Sequence, residues 1–472
     1  MGEIRLDKMS GSGPGFYPAL FLESGMKKQQ NDFLNGSILP SLLRFAGPVL
    51  LALFLQAMYG AVDLIVVGKF AGTADISAVS TGSQAMQLVT SLLVGLTTGV
   101  TVLLGQKIGE GRPDEAGSVV GSAICLFVCV ALALTALLSA LTEPFCRLLQ
   151  APEEAFVPTT QYVRICSAGT LFIVAFNVIG SVFRGLGNSK MPLITVAIAC
   201  VTNIFGDLLL VDVFQMGAAG AALATVFAQA VSVILSLFVI MRRKLPFTFR
   251  KEQLRFDRPL TAGILRLGIP IALQDVLVGV SFLVILAIVN SLGLLQSAGM
   301  GIAEKVCAFV MLLPSAFSQS VSAFVAQNTG AAKPDRAKKA LRYSVVTSLC
   351  ISVFVFYFNF FHGDLLAGIF ANDRAVILEA ADYLKAYAID CLLTSFLFCF
   401  VGYFSGLGKT VFVMAQGILG AFGVRIPVSF FMSRLPNVRL FYIGLATPCS
   451  TVVQVLLCLG YYAHLARRER RA

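Results

Sequence analysis

Long, predominantly apolar segments are the feature that most constrains how this chain can fold. Residues 122–141 and 194–213 are two such segments, and each matches the roughly 20 residues that an α-helix needs to cross a bilayer. A transmembrane β-barrel would instead show strands of about ten residues in which apolar and polar positions alternate. Only 13% of the residues are charged, whereas about 25% is usual for soluble domains. The sequence therefore predicts an all-α polytopic membrane protein.

Twelve apolar runs, bounded by glycine, proline or charged residues, follow one another along the chain. They cover residues 41–68, 76–104, 117–141, 157–183, 191–213, 217–241, 263–290, 296–326, 341–361, 380–404, 410–432 and 440–464. An even number of spans places both termini on one side of the membrane, and an excess of Lys and Arg marks the cytoplasmic side. Basic residues cluster after the sixth and eighth runs and at the C-terminus. We therefore predict a multi-pass protein of the cell (plasma) membrane with both termini cytoplasmic.

The two halves of the chain contain matching motifs at an offset of 221 residues. Gln-x-x-Gly at 106–109 recurs at 327–330, and Phe-x-Gly-Leu-Gly at 183–187 recurs at 404–408. Each half holds six spans, so the halves insert the same way up and are related by an axis along the membrane normal. The repeat predicts two pseudo-symmetric six-helix bundles, an arrangement typical of alternating-access carriers.

These bundles are named the N-lobe (36–241) and the C-lobe (263–465), and the rest of the chain is short. We expect residues 242–262 to be a cytoplasmic basic linker and residues 466–472 a basic cytoplasmic tail. The first 25 residues are mostly polar and rich in glycine. We therefore predict that residues 1–35 are a disordered or mis-assigned N-terminal extension. Met26 is interpreted as an alternative start.

Composition and motifs also argue against several other functions. The eleven cysteines are scattered without a CxxC pair, and the two histidines, His362 and His464, are far apart, so no disulfide framework, zinc site or His-based triad is indicated. The net charge of +11 comes from loops and tails, which argues against a nucleic-acid partner. The glycine loop at 184–190 lacks the strand and spacing of a Walker motif, so no nucleotide is expected. We predict no enzymatic activity and no cofactor.

Four sequence elements together carry a resemblance to a known family. They are Val-Asp-Leu-Ile-Val-Val-Gly at 62–68, the paired Gln-x-x-Gly loops, Arg-Gly-Leu-Gly-Asn-Ser-Lys-Met-Pro at 184–192, and Asn-x-x-x-Asp at 203–207 with Gly-Ala-Ala-Gly at 217–220. Over roughly residues 35–465 the chain resembles the multidrug and toxic compound extrusion (MATE) family, within the multidrug/oligosaccharidyl-lipid/polysaccharide flippase superfamily. The resemblance implies a secondary exporter that moves amphipathic, often cationic, compounds outward in exchange for protons or sodium.

Candidate ion-coupling residues lie in the N-lobe. A carboxylate in hydrocarbon costs at least about 2.5 to 3.5 kcal/mol, so Asp63 is a functional candidate by default. Asn203 and Asp207 are four residues apart and share one helix face. The resemblance implies that Asp63, Asn203, Asp207 and Thr225 form the cation-coupling site, and such oxygens suit either a proton held between carboxylates or a coordinated sodium ion. The alternatives for Asp63 are capping by nearby backbone or a position facing a wet vestibule. For Asn203 and Thr225 the alternative is a plain interhelical hydrogen bond.

The C-lobe departs from one branch of the family. That branch has an acidic residue eight positions after the proline of a Gly-Ile-Pro motif, where this chain has Val278 after Pro270. The charged residues available in these spans are Asp275, Glu304, Lys305, Asp390 and Arg425. Because unpaired buried charges are costly, we expect an ion-pair network, such as Glu304 or Asp390 with Arg425, in preference to direct substrate contact.

These observations lead to one hypothesis and two alternatives. The hypothesis is a secondary active antiporter, functional as a monomer in the lipid bilayer, which exports an amphipathic small molecule when H⁺ or Na⁺ loads Asp63 and Asp207. A lipid-linked saccharide flippase of the same superfamily would need a basic cavity, for which Arg425 and Lys305 are the candidates. A non-transporting membrane scaffold or receptor would need neither Asp63 nor Asp207.

Overall fold

Twelve membrane-spanning units form the body of the protein. The computed structural model describes residues 33–149, 151–242, 247, 249–436 and 438–470, and within them we find helices and no β-strand. Eleven helices are long and apolar enough to cross a membrane, and one bent helix pair adds a twelfth span. In chain order they are α1 (Ile38–Phe70), α2 (Thr73–Gly109), α3 (Pro113–Leu148), α4 (Glu153–Ala168 with Thr170–Gly185), α5 (Lys190–Val213), α6 (Gly217–Arg242), α7 (Arg258–Asn290), α8 (Leu294–Gly330), α9 (Pro334–Phe361), α10 (Arg374–Gly406), α11 (Thr410–Met432) and α12 (Leu440–Glu469). The predicted fold class is confirmed.

Every predicted apolar run lies inside one of these helices, which extend past the runs at their polar ends. Helices α3 and α9 begin at Pro113 and Pro334, where a missing backbone N–H costs nothing. The side chain of Asp257 accepts a hydrogen bond from the Leu260 backbone N–H at 3.2 Å and caps α7. Because α6 continues to Arg242 and α7 begins at Arg258, the linker is shorter than the predicted 242–262.

Several spans are locally distorted, among them α4, α5 and α11. Helix α4 bends by 54° next to Gly169, where an added Cβ would lie 2.4 Å from Val226 of α6. Helices α5 and α11 each contain a π-helical segment, at Leu208–Val213 and Leu419–Arg425. Such segments are rare and frequently occur at functional sites.

The two lobes approach each other closely where α2 crosses α7. A Cβ added to Gly95 would lie 2.4 Å from the Ala272 Cα, and one added to Gly99 would lie 2.3 Å from the Ile264 carbonyl oxygen. Small residues allow helix backbones to approach in this way within a membrane. The end of the bundle at which α2 leads into α3 and α8 into α9 is called the basic end, after Lys107, Arg112, Lys333 and Arg336.

The chain just before α1 is also part of the packed body. Phe33 is fully buried, with its ring centre 5.3 Å from that of Phe45 and 5.0 Å from that of Phe324. Arg336 donates a hydrogen bond from Nη2 to the Phe33 carbonyl oxygen at 3.0 Å. The expected disorder therefore does not hold for residues 33–35, while Met26 lies outside the described residues.

The linker and the tail pack against helices at the basic end. Gln253 donates a hydrogen bond from Nε2 to the Asp114 carbonyl oxygen at 3.1 Å, which fastens the linker to the start of α3. The predicted tail begins as the last turn of α12, where Glu469 pairs with Lys338 of α9. Elsewhere many large apolar side chains, including Leu132, Val353 and Leu456, are exposed on the helices. This apolar surface is what a lipid bilayer would cover.

Candidate functional site

Four side chains of the N-lobe meet between α1, α5 and α6. Asn203 donates a hydrogen bond from Nδ2 to Thr225 Oγ1 at 3.4 Å, and Thr225 Oγ1 donates to Asp63 Oδ2 at 3.3 Å. The carboxyl group of Asp207 lies against that of Asp63. The structure thus brings together the four residues singled out from the sequence, and we call them the oxygen cluster.

The oxygen cluster is buried and incompletely hydrogen-bonded. Asp63 is 5% exposed, Asn203 1% and Asp207 0%. Among the described residues, no partner is found for Asp63 Oδ1, Asn203 Oδ1 or either carboxylate oxygen of Asp207. Leaving buried carboxylate oxygens unsatisfied is costly, and either a proton shared between the carboxyl groups or a cation bound by oxygens would remove that cost. The arrangement can therefore hold H⁺ or Na⁺.

The backbone around the oxygen cluster explains how its members converge. Asn203 and Asp207 occupy successive turns on one face of α5, and Asp207 is the last residue before the π-helical segment Leu208–Val213. In α11 the corresponding segment ends at Arg425. Each lobe therefore carries a candidate charged residue at one end of a π-helical segment, Asp207 just before it and Arg425 as its last residue. The sequence analysis did not predict this feature.

Three further polar residues adjoin the oxygen cluster and were missed from the sequence. The Tyr59 hydroxyl lies close to the side-chain amides of Gln56 and Gln229 and near Asp63. Gln229 Oε1 is also buried without a partner in the part of the chain that the structure describes. Tyr59 precedes Asp63 by four residues, and Gln229 follows Thr225 by four, so helical spacing was the signal that would have found both.

A cavity of about 560 Å³ lies beside the C-lobe and reaches the N-lobe at Val94 and Thr98 of α2. We call it the C-lobe cavity. Its charged lining residues are Asp275, Glu304, Asp390 and Arg425, and its side-chain amides are those of Gln274, Gln319, Gln416 and Gln454. Four of the five charged residues predicted in this lobe therefore share one cavity. The fifth, Lys305, is exposed and is not part of the lining.

The expected ion pair between Arg425 and Glu304 or Asp390 is not formed within 4 Å in the described structure. Arg425 instead donates a hydrogen bond from Nη1 to Ser281 Oγ at 3.1 Å, and its guanidinium carbon lies 4.4 Å from the centre of the Phe282 ring. This cation–π contact stabilises the charge without a carboxylate. The acidic groups of the lining are therefore left facing the cavity.

Helix α7 carries an acidic residue, Asp275, close to Val278, the position at which one branch of the family has an acid. Asp275 lies three positions earlier on α7, and both residues line the C-lobe cavity. Residues three apart lie on the same face of a helix. Helix α7 thus provides a carboxylate to the cavity about one turn before Val278.

The lobes are joined at the basic end by two equivalent hydrogen bonds. Gln106 of α2 donates from Nε2 to the Gly406 carbonyl oxygen at 3.3 Å, and Gln327 of α8 donates from Nε2 to the Gly185 carbonyl oxygen at 2.9 Å. The donors are 221 residues apart in the sequence, and so are the acceptors. The repeated motifs therefore meet each other across the lobe interface, and we call these two bonds the glutamine pair.

Comparison with known proteins identifies relatives that span most of the chain. Probable multidrug resistance protein YoeA from Bacillus subtilis (strain 168) is 25% identical over 441 residues, covering 92% of this chain and 95% of that protein. An FAD transporter from Shewanella oneidensis is 26% identical over 362 residues, covering 74% and 78%. The solved outward-facing conformation of a multidrug resistance MATE family transporter of the MOP superfamily superposes with a TM-score of 0.87 at 17% identity, covering 93% of this chain and 98% of that one. The last comparison shows a shared fold.

The family model named MatE matches the chain twice, at residues 48–209 and 270–431. One match lies in each lobe, so the family pattern follows the internal repeat. Together the matches cover more than half of the sequence. This protein therefore belongs to the MatE family of multidrug efflux transporters.

Proposed function

We propose that the chain is a secondary active antiporter that exports amphipathic, cationic compounds in exchange for H⁺ or Na⁺ by alternating access. The observation that carries the proposal is the oxygen cluster, in which Asp63 and Asp207 are buried against each other with unsatisfied oxygens. Loading one cation neutralises a carboxylate and favours one packing of α1, α5 and α6. Substrate binding favours the other packing, so the two ligands exchange.

The energy source is an ion gradient, with no nucleotide or cofactor. Moving one elementary charge through 100 mV is worth about 2.3 kcal/mol, and about 1.4 kcal/mol corresponds to a tenfold ratio. Each net charge moved therefore supports roughly a 40-fold substrate gradient. An exchange of one proton for one monovalent cation uses only the concentration gradient, because no net charge crosses.

The proposed orientation places the basic end, with both termini, in the cytoplasm of a cell whose plasma membrane holds the protein as a monomer. Excess Lys and Arg on that side support it. The glutamine pair joins the lobes at this end. In this orientation the described state is closed towards the cytoplasm.

The C-lobe cavity supports a preference for cationic substrates. Three carboxyl groups, those of Asp275, Glu304 and Asp390, line it together with a single arginine among the described residues. A lipid-linked saccharide flippase would need the opposite balance of charge to bind pyrophosphate. The relatives include a probable multidrug resistance protein and an FAD transporter, which differ in the compounds that their names indicate. The range of substrates is therefore tested with a panel of probes.

The test is uptake of a fluorescent cationic dye into proteoliposomes that contain the purified protein and no ATP. Proton and sodium gradients are imposed separately, and the native chain is compared with Asp63→Asn and Asp207→Asn. Asp212→Asn is the matched control, because Asp212 lies on the same span as Asp207 but outside the oxygen cluster. We expect gradient-driven transport under one ion, lost in the first two variants and retained in the control.

Two results would contradict the proposal. If dye transport and its ion dependence persist unchanged in Asp63→Asn, the oxygen cluster does not couple the ion. If neither gradient drives transport of any dye in a panel of cationic and neutral probes by folded protein, the chain is not a multidrug antiporter. A non-transporting scaffold or a lipid-linked saccharide flippase then becomes the better hypothesis.

A further inference from the structure

Arg184 is a cation inside the transporter that the ion-coupling mechanism does not use. It is half-buried in the last turn of α4, near the basic end, and its Nη2 donates a hydrogen bond to Ser181 Oγ at 2.8 Å. Within the described residues, no carboxylate lies within 4 Å of its guanidinium group. A guanidinium group without a carboxylate partner keeps its charge and N–H donors available for an anionic ligand.

The guanidinium group faces a small cavity that adjoins the C-lobe cavity. The small cavity has a volume of about 80 Å³ and is lined by residues of α1, α2, α4, α5 and α8, with Gln56, Asn177, Thr195 and Gln319 as the polar members beside Arg184. No acidic side chain belongs to this lining. Val94 and Gln319 line both cavities, so the two are neighbours.

Arg184 lies next to the glutamine pair at the basic end. The next residue, Gly185, provides the carbonyl oxygen to which Gln327 donates. Arg184 therefore lies in the small cavity next to a contact between the lobes, whereas Asp275, Glu304 and Asp390 lie in the C-lobe cavity. A positive charge and several negative charges thus occupy different parts of adjoining cavities.

The internal repeat argues against a purely structural role for the charge. The position equivalent to Arg184 in the C-lobe is Ser405, which lines the C-lobe cavity. The next residue, Gly406, accepts the equivalent hydrogen bond from Gln106. Because one half of the glutamine pair forms beside a serine, closing the basic end does not require an arginine at this position.

We infer that Arg184 binds an oxyanion, such as a carboxylate, of the transported molecule in the small cavity next to the contact between the lobes. The guanidinium group supplies a charge and several N–H donors, and the amides of Gln56 and Gln319 line the same cavity. Resting on the proposed function, this inference narrows the substrate class to amphipathic zwitterions. Their cationic part faces the carboxyl groups of the C-lobe cavity, and their anionic part faces Arg184.

The experiment uses a xanthene dye with a free carboxylate and its methyl ester, two probes that differ in one charge. Fluorescence polarisation gives the Kd of each dye for the purified protein in nanodiscs, without any ion gradient. The variants are Arg184→Gln and Arg184→Lys. The control is Arg164→Gln, because Arg164 is on the same span but forms an exposed ion pair with Glu143.

We expect the native chain to bind the carboxylate dye about tenfold or more tightly than its ester. Arg184→Gln should abolish this preference while keeping the affinity for the ester, which also shows that the variant is folded. Arg184→Lys should keep part of the preference and Arg164→Gln all of it. In the native chain, benzoate should compete with the carboxylate dye and not with the ester, a measurement that needs no variant.

Two results overturn the inference: no preference for the carboxylate dye in the native chain, or the full preference in Arg184→Gln. Neither result depends on transport. A chain that shows the Arg184-dependent preference but no gradient-driven uptake contradicts the proposed antiport and supports the binding site. A chain that shows Asp63-dependent uptake but no preference for the carboxylate dye supports the proposed antiport and contradicts the binding site.

Discussion

Gly330 of α8 and Gln106 of α2 lie in direct backbone contact across the two lobes. A Cβ added to Gly330 would stand 2.0 Å from the Gln106 carbonyl oxygen, and one added to Gly109 would stand 2.0 Å from that of Gln327. The repeated Gln-x-x-Gly motif therefore provides, in each lobe, a side-chain donor and a glycine against which the other lobe's glutamine backbone packs. The two halves of the motif act together in closing the basic end.

We predict that Gly330→Ala prevents this closure. Its methyl group would overlap a backbone oxygen of α2, which cannot move without shifting the whole helix. Hydrogen exchange of residues 105–116 and 326–338 should increase by tenfold or more, and dye transport should fall to a similar extent. Gly301→Ala, on the same span with no atom within 4 Å of the added Cβ, is the control and should leave both unchanged. Normal exchange in Gly330→Ala would show that the lobes do not need this contact.

The glutamine pair should be unequal in strength. Gln327 is fully buried and donates at 2.9 Å, whereas Gln106 is half-buried and donates at 3.3 Å. Gln327→Ala should destabilise the closed state by about 1 to 3 kcal/mol, because it removes the shorter hydrogen bond, made by a fully buried side chain. Gln106→Ala should cost about 1 kcal/mol or less. Hydrogen exchange at the basic end measures the destabilisation caused by each variant. Gln296→Ala, at the other end of α8, is the control and should leave this exchange unchanged. Equal effects of the two variants would contradict this order.

The fold follows from the sequence because membrane spans are set by length and hydropathy. All twelve predicted runs lie within observed helices, and the helices extend further where Pro113, Pro334 and Asp257 provide N-terminal positions outside the hydrocarbon. The repeat also located the glutamine pair in the sequence. Its geometry was beyond prediction, because contact between lobes depends on the packing of α2 and α8 rather than on any local pattern.

The candidate sites were predictable to different degrees. In the N-lobe, an intramembrane carboxylate and a four-residue spacing are strong signals, and the structure brings Asp63, Asn203, Asp207 and Thr225 together. In the C-lobe, the ion pair between Arg425 and an acidic residue was predicted only from the free-energy cost of burying an unpaired charge. Sequence could not show that Phe282 lies under Arg425 and offers a different way to stabilise the cation. The π-helical segments were also unpredictable, since no composition signal distinguishes them from α-helix.

Thr225 should be part of the ion-coupling site rather than a plain interhelical contact. Its hydroxyl accepts from Asn203 and donates to Asp63, so Thr225→Val removes both hydrogen bonds while conserving shape. We expect the coupling-ion concentration for half-maximal transport to rise by about threefold to tenfold, corresponding to roughly 0.5 to 1.5 kcal/mol. Thr225→Ser, which keeps the hydroxyl, should restore the native value. A lowered melting temperature in Thr225→Val with an unchanged ion dependence would instead indicate a structural hydrogen bond.

The charges of the C-lobe cavity should act on a cationic dye in opposite directions. Asp390 Oδ2 accepts a hydrogen bond from Thr394 at 2.9 Å, its Oδ1 has no partner among the described residues, and Arg425 lines the same cavity without pairing to it. Asp390→Asn should therefore raise the Kd of a cationic dye, whereas Arg425→Gln should lower it. Each change should be about tenfold or more, because two charges about 10 Å apart interact by about 1.7 kcal/mol at an effective dielectric constant of about 20. Lys305→Gln is the control, because Lys305 is exposed and outside the lining. If Asp390 and Arg425 were instead a structural ion pair, both substitutions would lower the melting temperature and weaken dye binding together, so the opposite signs separate a substrate cavity from a structural network.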